Sequence, residues 1–563
     1  MTGSPHSQQA HGALLAEPQP AGASVASAPQ GGQSRALALG EWLVFLLASV
    51  PILLFLSAGV RRLHYPYLLE QLEGPMLLAA ERVAHGLPIY VRPNFTFIPY
   101  MYAPAYYYVS GWMVRWLGAS FFPLRLLSLL STCASLAVIY AFVLFDTAGS
   151  LRRRHLSSFA AAAVYASLYP WTREWFDLAR LDSFYVLLLL LALMCTRRLH
   201  PAVAALAWAL AFLVKQTILP LGLVMLCWDW KRPRRMLMGV GSLLLMAAVA
   251  TRLLDHVTHG WFWFYAFTVP HANTDLLLRP LVFFLPSKVI APFGIALIVI
   301  ALACTRTWKA LPSQWRNSNG TPVQTFYLLA GASTLALCWF LQGHGGATDN
   351  TAMPFYAVAA VIFGICFGRL DAWLAQKPGR EPARILLLAA AGLQVVSWVY
   401  YPHDMVPQPA LVASHDALST WIRSFPGDVF VPASPYEAVR AGKEWHPDIA
   451  ALHDALRPND PQIRRPLVAE IRAEVDQEKF DAIVLDGPPP QALGGQPWLP
   501  PDLMKHYPVA GLVPGAEASD YFAPHAIFFL LPCREQAHAL AAGWTLIQTH
   551  GRLPCPLSDP ARR

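Results

Sequence analysis

Apolar residues in this chain fall in long, nearly uninterrupted runs rather than in the alternation of a half-buried sheet. Eleven runs can be traced, at 36–60, 122–146, 157–170, 183–196, 201–213, 217–228, 236–254, 288–305, 324–342, 354–374 and 385–401. A helix needs about 20 apolar residues to cross a bilayer, or about 17 at the short end. Several runs fall short of that, so tilted, broken or partly buried helices are expected among them. The first run, Ala36 to Val60, has neither a charged start nor a cleavage site and reads as an uncleaved span. Residues 1–36, rich in Ala, Gly, Gln, Pro and Ser and without periodicity, read as a disordered cytoplasmic tail.

Basic clusters orient the spans, because short cytoplasmic loops carry the excess of Lys and Arg. Arg152-Arg153-Arg154, Arg197-Arg198, Lys231 to Arg235, Arg306 to Arg316 and Lys377 to Arg384 are all expected to face the cytoplasm. This requires one crossing between the first outer loop (61–121) and Arg152. The short Tyr- and Trp-rich piece 104–118 is therefore read as an interfacial helix. The pair Arg61-Arg62 violates the rule. The result is an all-α polytopic membrane domain over 37–403, with eleven transmembrane helices, the N-terminus inside and the C-terminus outside. Residues 404–563 form a small extracytoplasmic α/β domain. Its expected strands are 428–432, 481–485 and 525–531, alternating with helices near 411–423, 446–457 and 465–478. Cys533 and Cys555 lie in it, either paired in an oxidising compartment or free.

Composition agrees with the pattern. Of 563 residues, 55% are hydrophobic and 13% charged, against roughly 25% charged in a soluble domain. A soluble enzyme and a disordered chain are both excluded. Eight cysteines without a CxxC pair argue against a zinc module. The net charge of +8 is split: residues 1–403 hold 29 Lys+Arg and 15 Asp+Glu, residues 404–563 hold 13 and 19. The positive charge lies in short loops between apolar runs, so no nucleic-acid partner is implied.

Nine of the 15 acids before residue 404 fall in outer loops or at outer span ends, which turns the chemistry outward. In the first outer loop, Pro75 fits the first position of a helix and Gly86 its stop. Glu73 then sits at a helix N-terminus, whose dipole favours a carboxylate able to accept a proton. The plainer reading is a helix-start acid. Glu70, one turn earlier, shares the site if that segment is helical. Asp182 opens an apolar run, where an acid is costly without a partner. Arg180 is the nearest cation, and an interfacial N-cap is the plainer reading. Lys215-Gln216 separates two short runs. Lys215 therefore lies near the outer face or against a polar cavity, suited to a lipid-linked phosphate or to snorkelling. The loop 342–354 offers glycines for close backbone approach, with His344 as weak evidence for a metal.

Taken in order, several segments resemble one family. They are Glu73-Gly74-Pro75, Gly86-Leu87-Pro88-Ile89-Tyr90, Tyr102-Ala103-Pro104-Ala105-Tyr106-Tyr107, Leu124 to Leu130 after Phe121-Phe122-Pro123, Ala179-Arg180-Leu181-Asp182, and Leu213-Val214-Lys215-Gln216-Thr217. Over about residues 40–360 the chain is similar to the polytopic GT-C glycosyltransferases that use polyprenyl-phosphate sugars. The nearest group is the bacterial protein-mannosyltransferase-like set, with the Rgt-type galacturonosyltransferases and the aminoarabinose transferases. One departure is Asn350, followed here by Thr-Ala-Met-Pro, where many relatives show Asn-Tyr and a later acid.

The resemblance implies a GT-C-like enzyme of the bacterial inner membrane, active in the cell envelope. It would transfer a hexosyl or pentosyl group from a polyprenyl-phosphate donor to an acceptor hydroxyl on a lipid, glycan or protein, at the extracytoplasmic face and among membrane lipids. Glu73 is then the general base. Asp182 orients the acceptor or holds a divalent cation, and Arg180 and Lys215 neutralise the leaving phosphate. Glu70, Tyr102, Gln216, His344 and Asn350 complete the substrate site. The rival expectation is a transporter or flippase of a lipid-linked or polar solute, although the sequence shows none of the paired halves such proteins carry. A third is a scaffold presenting the C-terminal domain.

Overall fold

The computed structural model describes residues 35–273, 276–307, 321–489, 499–500, 502–519, 524–547 and 555. The expected disordered tail, up to residue 34, and most of the Arg306–Arg316 cluster lie outside the described residues. Every apolar run is helical. Among the described residues six helices are long and apolar enough to cross a membrane: α1 (Arg35–Arg62), α4 (Phe121–Asp146), α9 (Pro233–Val257), α10 (Leu278–Arg306), α11 (Val323–Gln342) and the helix that ends in α12 (Met353–Ala375). The others are shorter: α5 (Leu151–Ser167) and α6 (Asp182–Arg198) have 17 residues, α13 (Glu381–Val396) has 16, α7 (Pro201–Phe212) has 12 and α8 (Leu219–Leu226) has 8. Helix α12 is the most enclosed of the long ones, packed by α5, α10 and α11.

Helices α7 and α8 show why eleven apolar runs are not eleven full-length crossings. At about 1.5 Å per residue they are roughly 18 and 12 Å long, against roughly 30 Å of hydrocarbon. The start of α7, the end of α8 and the start of α9 line one cavity, so α7 and α8 are two arms of a hairpin. Lys215 sits at its tip, where the helix gives way to a short turn at Gln216–Ile218. Irregular backbone at membrane depth is tolerated where protein encloses it. Here the tip is enclosed: Ala105 donates its N–H to the Leu213 carbonyl (2.8 Å). The side-chain amide of Gln216 donates to the carbonyls of Met101 (2.8 Å) and Ala266 (2.7 Å).

The first outer loop carries α2 (Glu73–Ala84) and α3 (Ala105–Leu117). Helix α2 starts two residues before the expected Pro75. It stops where expected, with Gly86 at φ 73° and the Leu87 N–H turned back onto the Arg82 carbonyl (2.8 Å). Helix α3 crosses α2 so closely that a Cβ on Gly111 would lie 2.6 Å from Val83. Its far face exposes Tyr108, Trp112 and Trp116, one turn apart, as an interfacial helix requires. Arg62, half of the pair that violated the charge rule, is buried. Its Nε lies 3.2 Å from Asp177, and its Nη1 donates to the Tyr169 hydroxyl (2.8 Å). It is an internal partner for an acid and carries no topological information.

The C-terminal unit is α/β. A five-stranded sheet of order β1-β2-β4-β3-β5 is built from β1 (Asp428–Phe430), β2 (Phe480–Leu485), β3 (Val509–Ser519), β4 (Pro524–Leu531) and β5 (Thr545–Leu546). β1 and β2 are parallel and the other pairs antiparallel. Helices Pro409–Arg423, Ile449–Leu456 and Pro461–Asp476 lie near the expected positions. The unit is seated on the first outer loop: Tyr100 donates to Asp448 (2.9 Å), and the Phe95 N–H to Glu470 (3.2 Å). His446 lies between the Phe95 carbonyl (3.1 Å) and Asp428 (2.7 Å).

Cys533 and Cys555 are joined in a disulfide, 22 residues apart. Closing a loop of that length is worth about 3 kcal/mol. Cys533→Ser is expected to lower the thermal stability of the C-terminal unit by about that amount, and dithiothreitol to do the same to the wild type. Unchanged melting under both conditions would remove the bond from the native protein.

Candidate active site

The site is built around Glu73, which is fully buried. Arg125 donates Nε–H to its Oε1 (3.1 Å) and Nη2–H to its Oε2 (2.6 Å). The Ala179 N–H completes Oε1 (2.6 Å) and the Leu69 N–H completes Oε2 (2.7 Å). Arg125 also donates to the carbonyls of Tyr65 and Tyr67. Burial by itself pushes the Glu73 carboxyl up. The Arg125 charge and hydrogen bonds, with the two backbone donors, outweigh it and hold the group below the usual carboxylate range. Glu73 is thus anionic, as its helix-start position predicts, but four donors occupy it and neither oxygen is open to an acceptor hydroxyl.

Beside this latch lie two further acid–base pairs. Glu70 faces Arg180 Nη1 at 3.7 Å, with side chains only 8% and 2% exposed. Burial pushes the Glu70 carboxyl up to about 7, against the opposing pull of Arg180. Arg180 also reaches the Tyr102 hydroxyl (3.3 Å). Two residues on, Asp182 at the start of α6 accepts from Lys215 Nζ (3.0 Å) and shares a cavity wall with Asn350. Tyr102 links the two pairs, with Lys215 Nζ 5.8 Å from its ring centre. Several buried atoms here have no hydrogen-bond partner: Arg180 Nε and Nη1, Asp182 Oδ2, the Tyr185 hydroxyl and Gln216 Oε1. Such atoms are costly unless a ligand completes them. The cavity lined by Asp182, Tyr185, Lys215 and Asn350 is narrow, about 10 Å³, room for one water. A larger ligand must part its walls.

The structure thus brings together Glu70, Glu73, Tyr102, Arg180, Asp182, Lys215 and Asn350. Gln216 joins through its backbone-clamping amide. His344 stands apart: its Nδ1 lies 3.1 Å from the Phe340 carbonyl and its ring packs on Phe340. It is a locally bonded loop histidine and does not reach this cavity. The divalent-cation reading of Asp182 does not fit either, because Lys215 holds one of its oxygens and Arg180 lies near, leaving no donor set for a second cation. Sequence reasoning missed Arg125. Its signal was present, as the one charged residue in the apolar stretch 121–145. Tyr185 and Thr351 also line the cavity and carried no signal.

Because Arg125 is almost completely buried, Glu73→Gln is expected to cost about 3–5 kcal/mol by leaving its charge uncompensated. Thermal unfolding in detergent measures this, and a loss below about 1 kcal/mol would refute it. The sign with pH follows from the depressed Glu73 group. Its stabilisation is complete above the ordinary glutamate range and is lost as pH falls through the lower folded value.

No protein-family profile and no curated protein matches the chain. Solved structures do. ArnT from Cupriavidus metallidurans bound to undecaprenyl phosphate superposes with a TM-score of 0.53 at 16% identity, covering 87% of this chain and 98% of that one. Its apo form gives 0.52 at 15%, with the same coverage. At such identity the likeness is one of fold, and it spans nearly all of ArnT: the chain has the GT-C fold that its sequence motifs resemble.

Proposed function

We propose that this chain is a membrane glycosyltransferase that moves a sugar from a polyprenyl-phosphate donor to an acceptor hydroxyl at the extracytoplasmic face. One observation carries the reading. Two cations, the buried Arg180 and the part-buried Lys215, converge with Glu70 and Asp182 at one end of the bundle, with Arg180 Nε and Nη1 left without a hydrogen-bond acceptor. The ArnT fold supports it, since the matched ArnT structure holds undecaprenyl phosphate. The Cys533–Cys555 disulfide in the unit seated over the site favours an oxidising compartment on that side.

In this reading the acceptor oxygen bonds to the anomeric carbon as the bond from that carbon to the phosphate oxygen breaks. Polyprenyl phosphate leaves with the electron pair. Arg180 and Lys215 stabilise its growing charge, a role worth about 10²–10³ in rate for one donor of this kind. The acceptor proton goes to Glu70, whose value of about 7 suits a general base at neutral pH. Glu73 becomes a positioning residue. It accepts from Ala179, one residue before Arg180, and so fixes the cation against Glu70. Asp182 holds the Lys215 ammonium in place and orients the acceptor. The acceptor is a hydroxyl on a lipid, glycan or protein.

The test is transfer of labelled sugar from polyprenyl phosphate in detergent, over a panel of sugars. Glu70→Gln is expected to lower turnover by about 10²–10⁴. Wild-type rate should climb with pH below about 7 and level off above it, as Glu70 loses its proton. Glu73→Gln should lower stability and rate while leaving the midpoint of that profile in place. A Glu70→Gln protein with near-normal turnover removes Glu70 as the base. Solute uptake into liposomes without sugar transfer would favour the transporter reading instead.

A further inference from the structure

A second cationic cavity lies at the other end of the bundle. Helix α6, 17 residues long, begins at Asp182 in the candidate active site and ends at Arg198, which separates the two by about 24 Å. The cavity, about 170 Å³, is lined by Arg197, Arg198, Arg232 and Arg235, together with Asp229 and the indole of Trp228. Among the described residues two acids answer the four arginines, and both are already engaged. Asp146, behind the wall, takes Arg197 (3.1 Å), Arg198 and the Tyr327 hydroxyl. Asp229 faces Arg232 at 3.6 Å and accepts the Thr321 N–H (3.3 Å). Two positive charges are left over. The N-termini of α7 at Pro201 and of α9 at Pro233 also open here, adding the positive ends of two helix dipoles.

The surroundings indicate which anion fits. Leu199 in the lining, and Trp230 and Leu237, each next in sequence to a lining residue, are 48%, 54% and 64% exposed. The cavity sits at the starting edge of the long apolar helix α9. Arginines over an apolar rim at a membrane edge match a charged headgroup with acyl chains attached, and basic pockets between membrane helices bind such headgroups. We propose that this cavity binds the phosphate headgroup of an anionic phospholipid, separately from the donor site at Lys215. The arginines take the phosphate oxygens, and the acyl chains run along the exposed face of α9.

The full chain, purified in detergent, would be exposed to equal amounts of phosphatidylglycerol and phosphatidylcholine and the bound lipid counted by native mass spectrometry. The wild type should retain phosphatidylglycerol preferentially. Arg232→Gln with Arg235→Gln should reduce that preference roughly tenfold to thirtyfold, at about 1 kcal/mol per arginine. Arg234→Gln, which removes one positive charge at an exposed position in the same turn that does not line the cavity, should leave it intact. A parallel melting titration separates the lipid from a soluble anion: phosphatidylglycerol should raise the melting temperature and inorganic phosphate should not. Equal retention of the two lipids, or equal loss in the Arg234→Gln protein, overturns the site. A shift with inorganic phosphate as large as with lipid overturns the lipid assignment.

Discussion

The buried pair of Glu73 and Arg125 ties together three stretches of chain that are far apart in sequence. Through Glu73 it holds the turn before α2 and the backbone at Ala179. Through Arg125 it holds the carbonyls of Tyr65 and Tyr67 and anchors all of this to α4. A buried ion pair is weak evidence for net stability, since apolar residues could fill the same volume. What it supplies here is geometry. The Arg180 cation and the Asp182 carboxylate follow Ala179 directly, so where that N–H is held decides where both charges stand.

Each acid at this end of the bundle takes its character from its neighbours rather than from its type. Glu73, with a bidentate arginine and two backbone donors, is locked as an anion. Glu70, only three residues away, faces a single arginine at 3.7 Å and is left near neutrality. Asp182 is committed to Lys215. Two glutamates three residues apart thus divide into a fixed anion and a carboxyl that burial pushes up to about 7. Arg180 Nε and Nη1 and Asp182 Oδ2 are buried there without a hydrogen-bond partner.

The hairpin of α7 and α8 and the C-terminal unit frame the site from two directions. The hairpin delivers Lys215 from within the bundle, on arms too short to cross by themselves, and the enclosing carbonyls of Met101 and Ala266 make the turn tolerable there. The C-terminal unit closes over the first outer loop through Asp448, Glu470 and His446. A loop that would otherwise be mobile at a membrane surface becomes part of a packed layer, which is what a preorganised site requires.

The helices of the membrane part were legible in the sequence because runs of apolar residues have only one stable use in lipid. So were Asp182 and Lys215 as groups in need of partners, since ionisable side chains at span ends are costly alone. Strands β1, β2 and β4 were legible from their apolar stretches. β3 was not, because Gly511, Pro514 and Gly515 interrupt it and its register slips between Leu512 and Glu517. His344 stood out as a chemical type and proved to be held by its own turn. Only the tertiary structure could pair Arg125 with Glu73, turn Arg62 inward to Asp177 and set Glu70 beside Arg180 with its carboxyl pushed up to about 7. Periodicity reports what a residue avoids, which is water or lipid; it carries no record of which distant charge will stand beside it once the chain has folded.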